Sequence, residues 1–317
     1  MRTISARENM IGRALLAVLL AWLMAAAGAY ATENAGSSYT NGSEVSYGSI
    51  FPPGDYHYVG YSHYEADHVK GVDGKDNPAY RKFKIRSNTL AYCLHHVWEK
   101  TFLGAGTESI FIVSGSAFEF AKATAAGSYD SSRTNLADPI LTPLRLCWKG
   151  RSISQSVSME FMPPLGGYNR DSAINIGRNY WQFAAVYGIG AHPAPGLETN
   201  LRLRYGVNSK NQATQYRSGD EFYAEFNAGY RHRVDPKTEL GVQGYYYEQT
   251  TDDELRGRPT TFANTGIGNR GRVVALGPYL KHNFGKKFIT ILRYQDEFNA
   301  RNRPEGARYL LMFLLPL

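Results

Sequence analysis

LETNLRLRYGV, residues 197–207, alternates without a break. Leu197, Thr199, Leu201, Leu203, Tyr205 and Val207 take one face, and Glu198, Asn200, Arg202 and Arg204 the other. EFYAEFNAGYR (221–231) repeats the pattern, with Phe222, Ala224, Phe226, Ala228 and Tyr230 opposing Glu221, Tyr223, Glu225, Asn227 and Arg231. ELGVQGYYYEQ (239–249) sets Leu240, Val242 and Tyr246 against Glu239, Gln243, Tyr245, Tyr247 and Gln249. Period-two alternation over about ten residues marks a strand with unlike surroundings on its two sides. An antiparallel sandwich would produce it, with the apolar face inward and the polar face in water. So would a transmembrane barrel, with the apolar face in lipid and the polar face in the lumen. The connections favour the barrel. Residues 207–221 cross a polar loop, whereas 231–239 cross only the tight HRVDPKT turn, and barrels alternate long outer loops with short inner turns.

The amino end agrees. Arg2, Arg7 and Arg13 precede an apolar run over 14–27, and Ala29-Tyr30-Ala31 supplies small residues around a cleavage point. Residues 1–31 therefore read as a secretory signal peptide, cleaved near Ala31. No later run approaches the roughly 20 apolar residues of a membrane helix, and mean hydropathy is negative. A membrane location would then require strands, since only helices and closed barrels satisfy their backbone in lipid. Loss of three Arg and Glu8 with the signal lowers the formal charge of +7 by two, to +5. That excess is scattered, and no basic cluster interleaved with aromatics points to nucleic acid. The 23 Tyr outnumber the 15 Phe and 4 Trp, as expected where rings line a lumen and sit at membrane interfaces.

Residues 32–55 are polar and Gly/Ser-rich. They read as a flexible arm, or as a plug tucked into a barrel mouth. Strands are expected at about 56–64, 89–102, 108–120, 139–148, 152–161 and 179–191, then 197–207, 221–231, 239–249, 272–282, 288–295 and 307–317. The predicted fold is all-β: an antiparallel, up-and-down transmembrane barrel of about 12 strands over 56–317. Both chain ends fall on the short-turn, periplasmic side.

PPLGGYNRDSAINIGRNYWQF (163–183) resembles a pattern of the "MetA pathway of phenol degradation" family of outer-membrane proteins. Gly166, Gly167 and Tyr168 match its Pro-x-Gly-x-Tyr loop, and Asn175, Gly177, Asn179 and Trp181 match the entry to the next strand. Tyr39, Gly42, Glu44, Gly48 and Pro52-Pro53-Gly54 resemble the family's arm, and Tyr216-Arg217-Ser218-Gly219-Asp220 a loop ahead of a strand. Ala137-Asp138-Pro139 stands where the family usually has Gly-Asp. The resemblance implies an outer-membrane protein that admits aromatic or other hydrophobic compounds.

Strand parity points a set of polar side chains inward: Glu160, Glu198, Arg202, Arg204, Glu221, Glu225, Arg231, Lys281 and Arg293. Tyr223, Tyr245, Tyr247 and Tyr279 join them, as do Leu310, Met312 and Leu314. Rings of charge can select what passes a pore, but the same residues can also fill a narrow barrel with salt bridges. Cys93 and Cys147 fall on the second and fourth strands, with the third between them. Two strand spacings, about 10 Å, exceed disulfide reach, so lumen-facing thiols are expected. His95 and His96 point to opposite faces and cannot chelate together. Gly266, Gly268 and Gly271 have phosphate-loop spacing but no following helix, and no Ser–His motif suggests an enzyme. The expectation is an outer-membrane channel for passive uptake of small hydrophobic or aromatic solutes, with outer-membrane lipid as its surroundings and no cofactor, metal or nucleic acid. Open beside it are a closed structural barrel acting through its outer loops and a lipid-modifying barrel enzyme.

Overall fold

The computed structural model describes residues 37, 39 and 48–316, apart from 126, 173, 260–269, 286 and 287. The signal peptide expected at 1–31 lies outside these residues, as do most of the arm at 32–55 and most of the glycine motif near 266.

Twelve strands form the wall. β1 (Gly54–Lys70), β2 (Lys82–Phe102), β3 (Ala105–Thr124), β4 (Ile140–Lys149), β5 (Ile153–Met162) and β6 (Gln182–Ala194) make one half. β7 (Leu197–Asn208), β8 (Glu221–Arg231), β9 (Thr238–Gln249), β10 (Arg272–Asn283), β11 (Ile289–Arg301) and β12 (Arg303–Pro316) make the other. Each strand pairs antiparallel with its sequence neighbours, and β12 pairs with β1 from Tyr56↔Pro316 to Lys70↔Arg303, closing the barrel. Closure removes every edge from the wall, which lets strands cross lipid with their backbone satisfied.

The alternation read from the sequence becomes outside and inside. Leu90, Phe111, Met159, Phe183, Leu240, Val242 and Leu292 are exposed on the outer face. Phe284 stacks on Phe288 at the short-turn rim and Trp181 on Phe183 at the opposite one, the aromatic girdles expected where a barrel wall meets the lipid headgroups. Gln155, the polar interruption of β5's outer face, accepts a hydrogen bond from Tyr187 Oη at 2.8 Å. No disulfide joins Cys93 and Cys147; β3 runs between their strands.

Several expected loops are strand. β1, β2 and β3 have 17, 21 and 20 residues, about twice what a tilted strand needs to cross the membrane, so this sector projects beyond the bilayer. There Gly127–Leu136, expected as loop, pairs with β3 from Gly115↔Leu136 to Thr124↔Gly127. The expected RNRPEG loop shrinks to Asn302 at φ 51°, a left-handed conformation that Asn tolerates. β6 begins at Gln182 rather than near Asn179. The loops after β7 and β9 contribute a separate four-stranded sheet, ordered Arg258–Pro259, Glu254–Leu255, Tyr216–Arg217, Lys210–Asn211. These segments were opaque to periodicity because they pair outside lipid, where two polar faces cost nothing.

Candidate functional site: the barrel interior

The interior is organised by a run of small residues on β6. Ala184 stands beside Glu160 of β5 on one side and Gly206 of β7 on the other, and Gly188 beside Ser156 and Arg202. With so little side chain in the way, Glu160 reaches across β6. Its Oε1 accepts from Arg202 Nη2 at 2.5 Å and its Oε2 from Arg204 Nε at 2.7 Å. Arg202 also donates to Glu225, its neighbour on β8, at 2.9 Å. Arg204 Nη2 donates to Gln182 Oε1 at 2.7 Å, and Gln182 Nε2 to Glu221 at 2.7 Å. Tyr247 Oη reaches Glu221 at 3.1 Å. Such a buried network holds because each charge has partners; removal of one leaves the rest unmatched.

A second cluster sits nearer the short-turn rim, where Arg231 bridges Glu198 and Glu239. Lys281 lies 3.5 Å from Glu239, and Tyr279 Oη donates to Glu239 at 2.5 Å. Tyr245 belongs to a third cluster at the other end. It donates to Glu297 at 2.6 Å, Tyr64 does so at 2.8 Å, and Arg303 lies over the Tyr247 ring at 4.7 Å. Arg293 is buried between Tyr279 and Leu310 in register. An apolar patch lies on β1, β11 and β12, where Tyr58, Ile291, Leu310 and Leu314 are all buried. The interior thus carries a small apolar patch among charged, tyrosine-rich clusters.

Sequence reading passed over several buried members: Glu239, Glu297, Arg303, and the group of His95, Glu108 and Arg145. Arg145 donates to Glu108, and His95 Nδ1 lies 3.8 Å from the other Glu108 oxygen. Glu108 keeps step with Ser116 along β3, whose register with β2 is unbroken from Val97↔Glu108 onward, so parity counting reaches it; Arg145 is hidden by the register shift in β4 between Leu141 and Arg145, around Pro143.

Tyr39, Gly48 and Ile50 of the arm, which reads from the sequence as flexible or as a plug, lie inside the barrel. Ile50 packs on Gly106, and a side chain on Gly48 would collide with the backbone of Ser154 and Gly190, so the arm lies directly against the inner wall. Arg145 Nη2 donates to Ser49 O at 3.3 Å. Further up, Tyr39 is 4 % exposed and packs with Tyr223, Tyr245 and Tyr247. Its ring meets that of Tyr223 edge-on at 5.6 Å and faces the guanidinium carbons of Arg202 and Arg204 at 5.1 and 4.6 Å. Its N–H donates to Tyr223 Oη at 3.3 Å, and Arg178 donates to Ser37 O at 2.5 Å.

The motif residues of the outer loops build a cap over this interior. Asp138 accepts from the N–H of Gly166 at 2.7 Å and of Arg178 at 2.6 Å. Gly166 and Gly177 touch backbone to backbone, with no room for a Cβ on either. Asn179 (φ 61°) donates to Asn211 at 2.8 Å, and Asn211 to Tyr168 Oη at 3.1 Å. The N–H groups of Gly219 and Asp220 are held by Asp253 and Thr251 at 3.0 and 2.5 Å.

Fold and interior define the class: a closed, twelve-stranded antiparallel transmembrane β-barrel with a charged interior, an inserted arm and a folded outer cap. Residues 66–313 match the family described as "Putative MetA-pathway of phenol degradation", and the chain belongs to it. Among solved structures it is similar to the COG4313 outer membrane channel from Pseudomonas putida F1, at 20% identity and TM-score 0.73, covering 86% of this chain and 100% of that one. It is also similar to the β domain of the Bordetella autotransporter BrkA, at 10% identity and TM-score 0.51, covering 84% and 100%. At such identities the likeness is one of fold. No match is found among curated proteins.

Proposed function

We propose that the protein is an outer-membrane channel for passive uptake of small hydrophobic or aromatic solutes. One observation carries this reading: the side chains of the wall do not fill the interior by themselves. Between Arg202, Arg204 and Tyr223 it accommodates a side chain that belongs to the arm, Tyr39. A space that takes a phenol ring with its main chain takes a single-ring solute. The apolar patch formed by Tyr58, Leu310 and Leu314 offers such a solute a surface to slide along. Glu160, Arg202, Arg204 and Glu225, being paired, present little net charge. No cofactor and no catalytic step enter this reading; the solute moves down its gradient.

The test is conductance in a planar bilayer, together with phenol flux into liposomes, for the mature barrel with and without residues 32–50. The truncation stops short of β1, which begins at Gly54. Flux that rises on truncation is expected. The hydrogen-bonded cap favours a second reading, a closed barrel that acts through its outer surface. Silence of both folded forms in both assays would sustain that reading and overturn the channel.

A further inference from the structure

We infer that Tyr39 is an intramolecular occupant of a solute site, and that its phenol ring holds the place which an incoming hydroxylated aromatic takes. The inference rests on the channel reading for its purpose and on the geometry around Tyr39 for its substance. The wall supplies a recognition surface for one aromatic ring: two guanidinium groups over its face, and the edge of Tyr223 against its side. Cations over an aromatic face and edge-on rings are the contacts such a solute would seek, strengthened here by desolvation.

Arg204 carries a second, independent sign of a ligand. The residue is 1 % exposed. Its Nε and Nη2 are engaged by Glu160 and Gln182, while Nη1 has no hydrogen-bond partner among the described residues. A buried donor without an acceptor is costly and uncommon. A solute bearing a phenolic oxygen would supply the acceptor beside a ring already in place. That selects phenols over plain hydrocarbons.

The occupant is suited to leave. The arm around Tyr39 reads GSSYTNGS over 36–43, a composition of low intrinsic order. Holding Tyr39 in the barrel costs conformational entropy that its contacts must offset. A tethered ring competes as an internal ligand at an effective concentration on the order of millimolar. Soluble phenols at comparable concentration would displace it, so occupancy of the cradle and position of the arm become one equilibrium.

The experiment uses p-cresol, the tyrosine side chain without its backbone, titrated calorimetrically into refolded mature protein in micelles, with empty micelles subtracted. Tyr39→Ala should bind one p-cresol at least ~10-fold more tightly than the wild type, which carries its own competitor. Toluene, lacking the oxygen, should bind Tyr39→Ala more weakly than p-cresol does. Tyr39→Phe keeps a ring in the cradle and should bind p-cresol as weakly as the wild type, which separates ring occupancy from general loosening. A heat-modifiable gel shift verifies that each variant is folded. Equal p-cresol binding by wild type and Tyr39→Ala, or a Tyr39→Phe that behaves like Tyr39→Ala, overturns the inference. Phenol flux in liposomes separates this from the channel reading: binding as expected without flux sinks the channel alone, and flux without Tyr39-dependent binding sinks the occupied site alone.

Discussion

Glu160 on β5 and Arg204 on β7 meet at 2.7 Å although a whole strand separates them. The contact passes over Ala184, the small residue of β6 in register with Glu160, beside Val186, which is in register with Arg204. Distance across the sheet is thus set by what the intervening strand lacks.

Ala184→Leu tests that geometry. The residue is fully buried between Glu160 and Gly206, and three added carbons have no space. Overpacking of this kind costs about 1–3 kcal/mol. The urea midpoint of the refolded barrel should fall accordingly. An unchanged midpoint would show that the interior beside β6 is looser than the contacts imply.

Glu160→Gln keeps the shape and removes one charge, leaving Arg202 paired with Glu225 and Arg204 without an ion pair among the described residues. Breaking one partner of a buried ion network costs about 3–5 kcal/mol. The temperature at which the folded band converts on a gel should drop. If a conducting state is seen, its reversal potential should shift toward anions. Glu160→Gln conducting with wild-type selectivity would place the ion path away from this network.

Asp138→Asn weakens the cap. One carboxylate holds the N–H groups of Gly166 and Arg178, and an amide offers a single neutral oxygen in place of two charged ones. The loss should be about 1–2 kcal/mol, because the amide NH2 leaves one of the two backbone N–H groups without its acceptor. Limited proteolysis would register it as faster cleavage within 163–181, with the barrel core still protected.

The cap should also tolerate mild acid. Burial pushes the carboxyls of Asp138 and Asp220 above the ordinary aspartate range, against the lowering effect of their N–H donors and of Arg178 and Arg217. A raised folded pKa contributes stability that is present in full below the unfolded value and is lost as pH rises through the raised one. Cleavage of the outer loops by an acid-tolerant protease should be no faster at pH 5 than at pH 7.5, after correction for the enzyme's own profile. Faster cleavage at pH 5 would mean that these two carboxylates do not govern the cap.

How far the site could be read ahead of the structure varies by residue. Glu221, Tyr223, Glu225, Tyr245 and Tyr247 lie on unbroken alternating strands, so counting by twos put them on one face, and there they lie buried. Arg145 escaped because β4 shifts register around Pro143, which cannot donate to the ladder, whereas Glu108, in unbroken register on β3, was within reach of the same count. Asp138, Gly166, Gly177, Asn179 and Ser218 stood out as a resemblance without a role. Their purpose lies in contacts between loops up to about forty residues apart in the chain, such as Asp138 to Arg178.

The sequence by itself determined the architecture. The faces of a strand are set by a period of two, and that local rule, carried through twelve segments, dictates a closed barrel with its apolar side outward. Only the tertiary structure decided what the interior contains. Which carboxylate meets which guanidinium depends on the side chains of a strand lying between them. Whether a Gly- and Ser-rich arm enters the barrel depends on a space that no single strand defines. Tyr39 shows the difference: in the chain it is one tyrosine in a polar run, and in the barrel it lies between Arg202, Arg204 and Tyr223, residues more than 160 positions away.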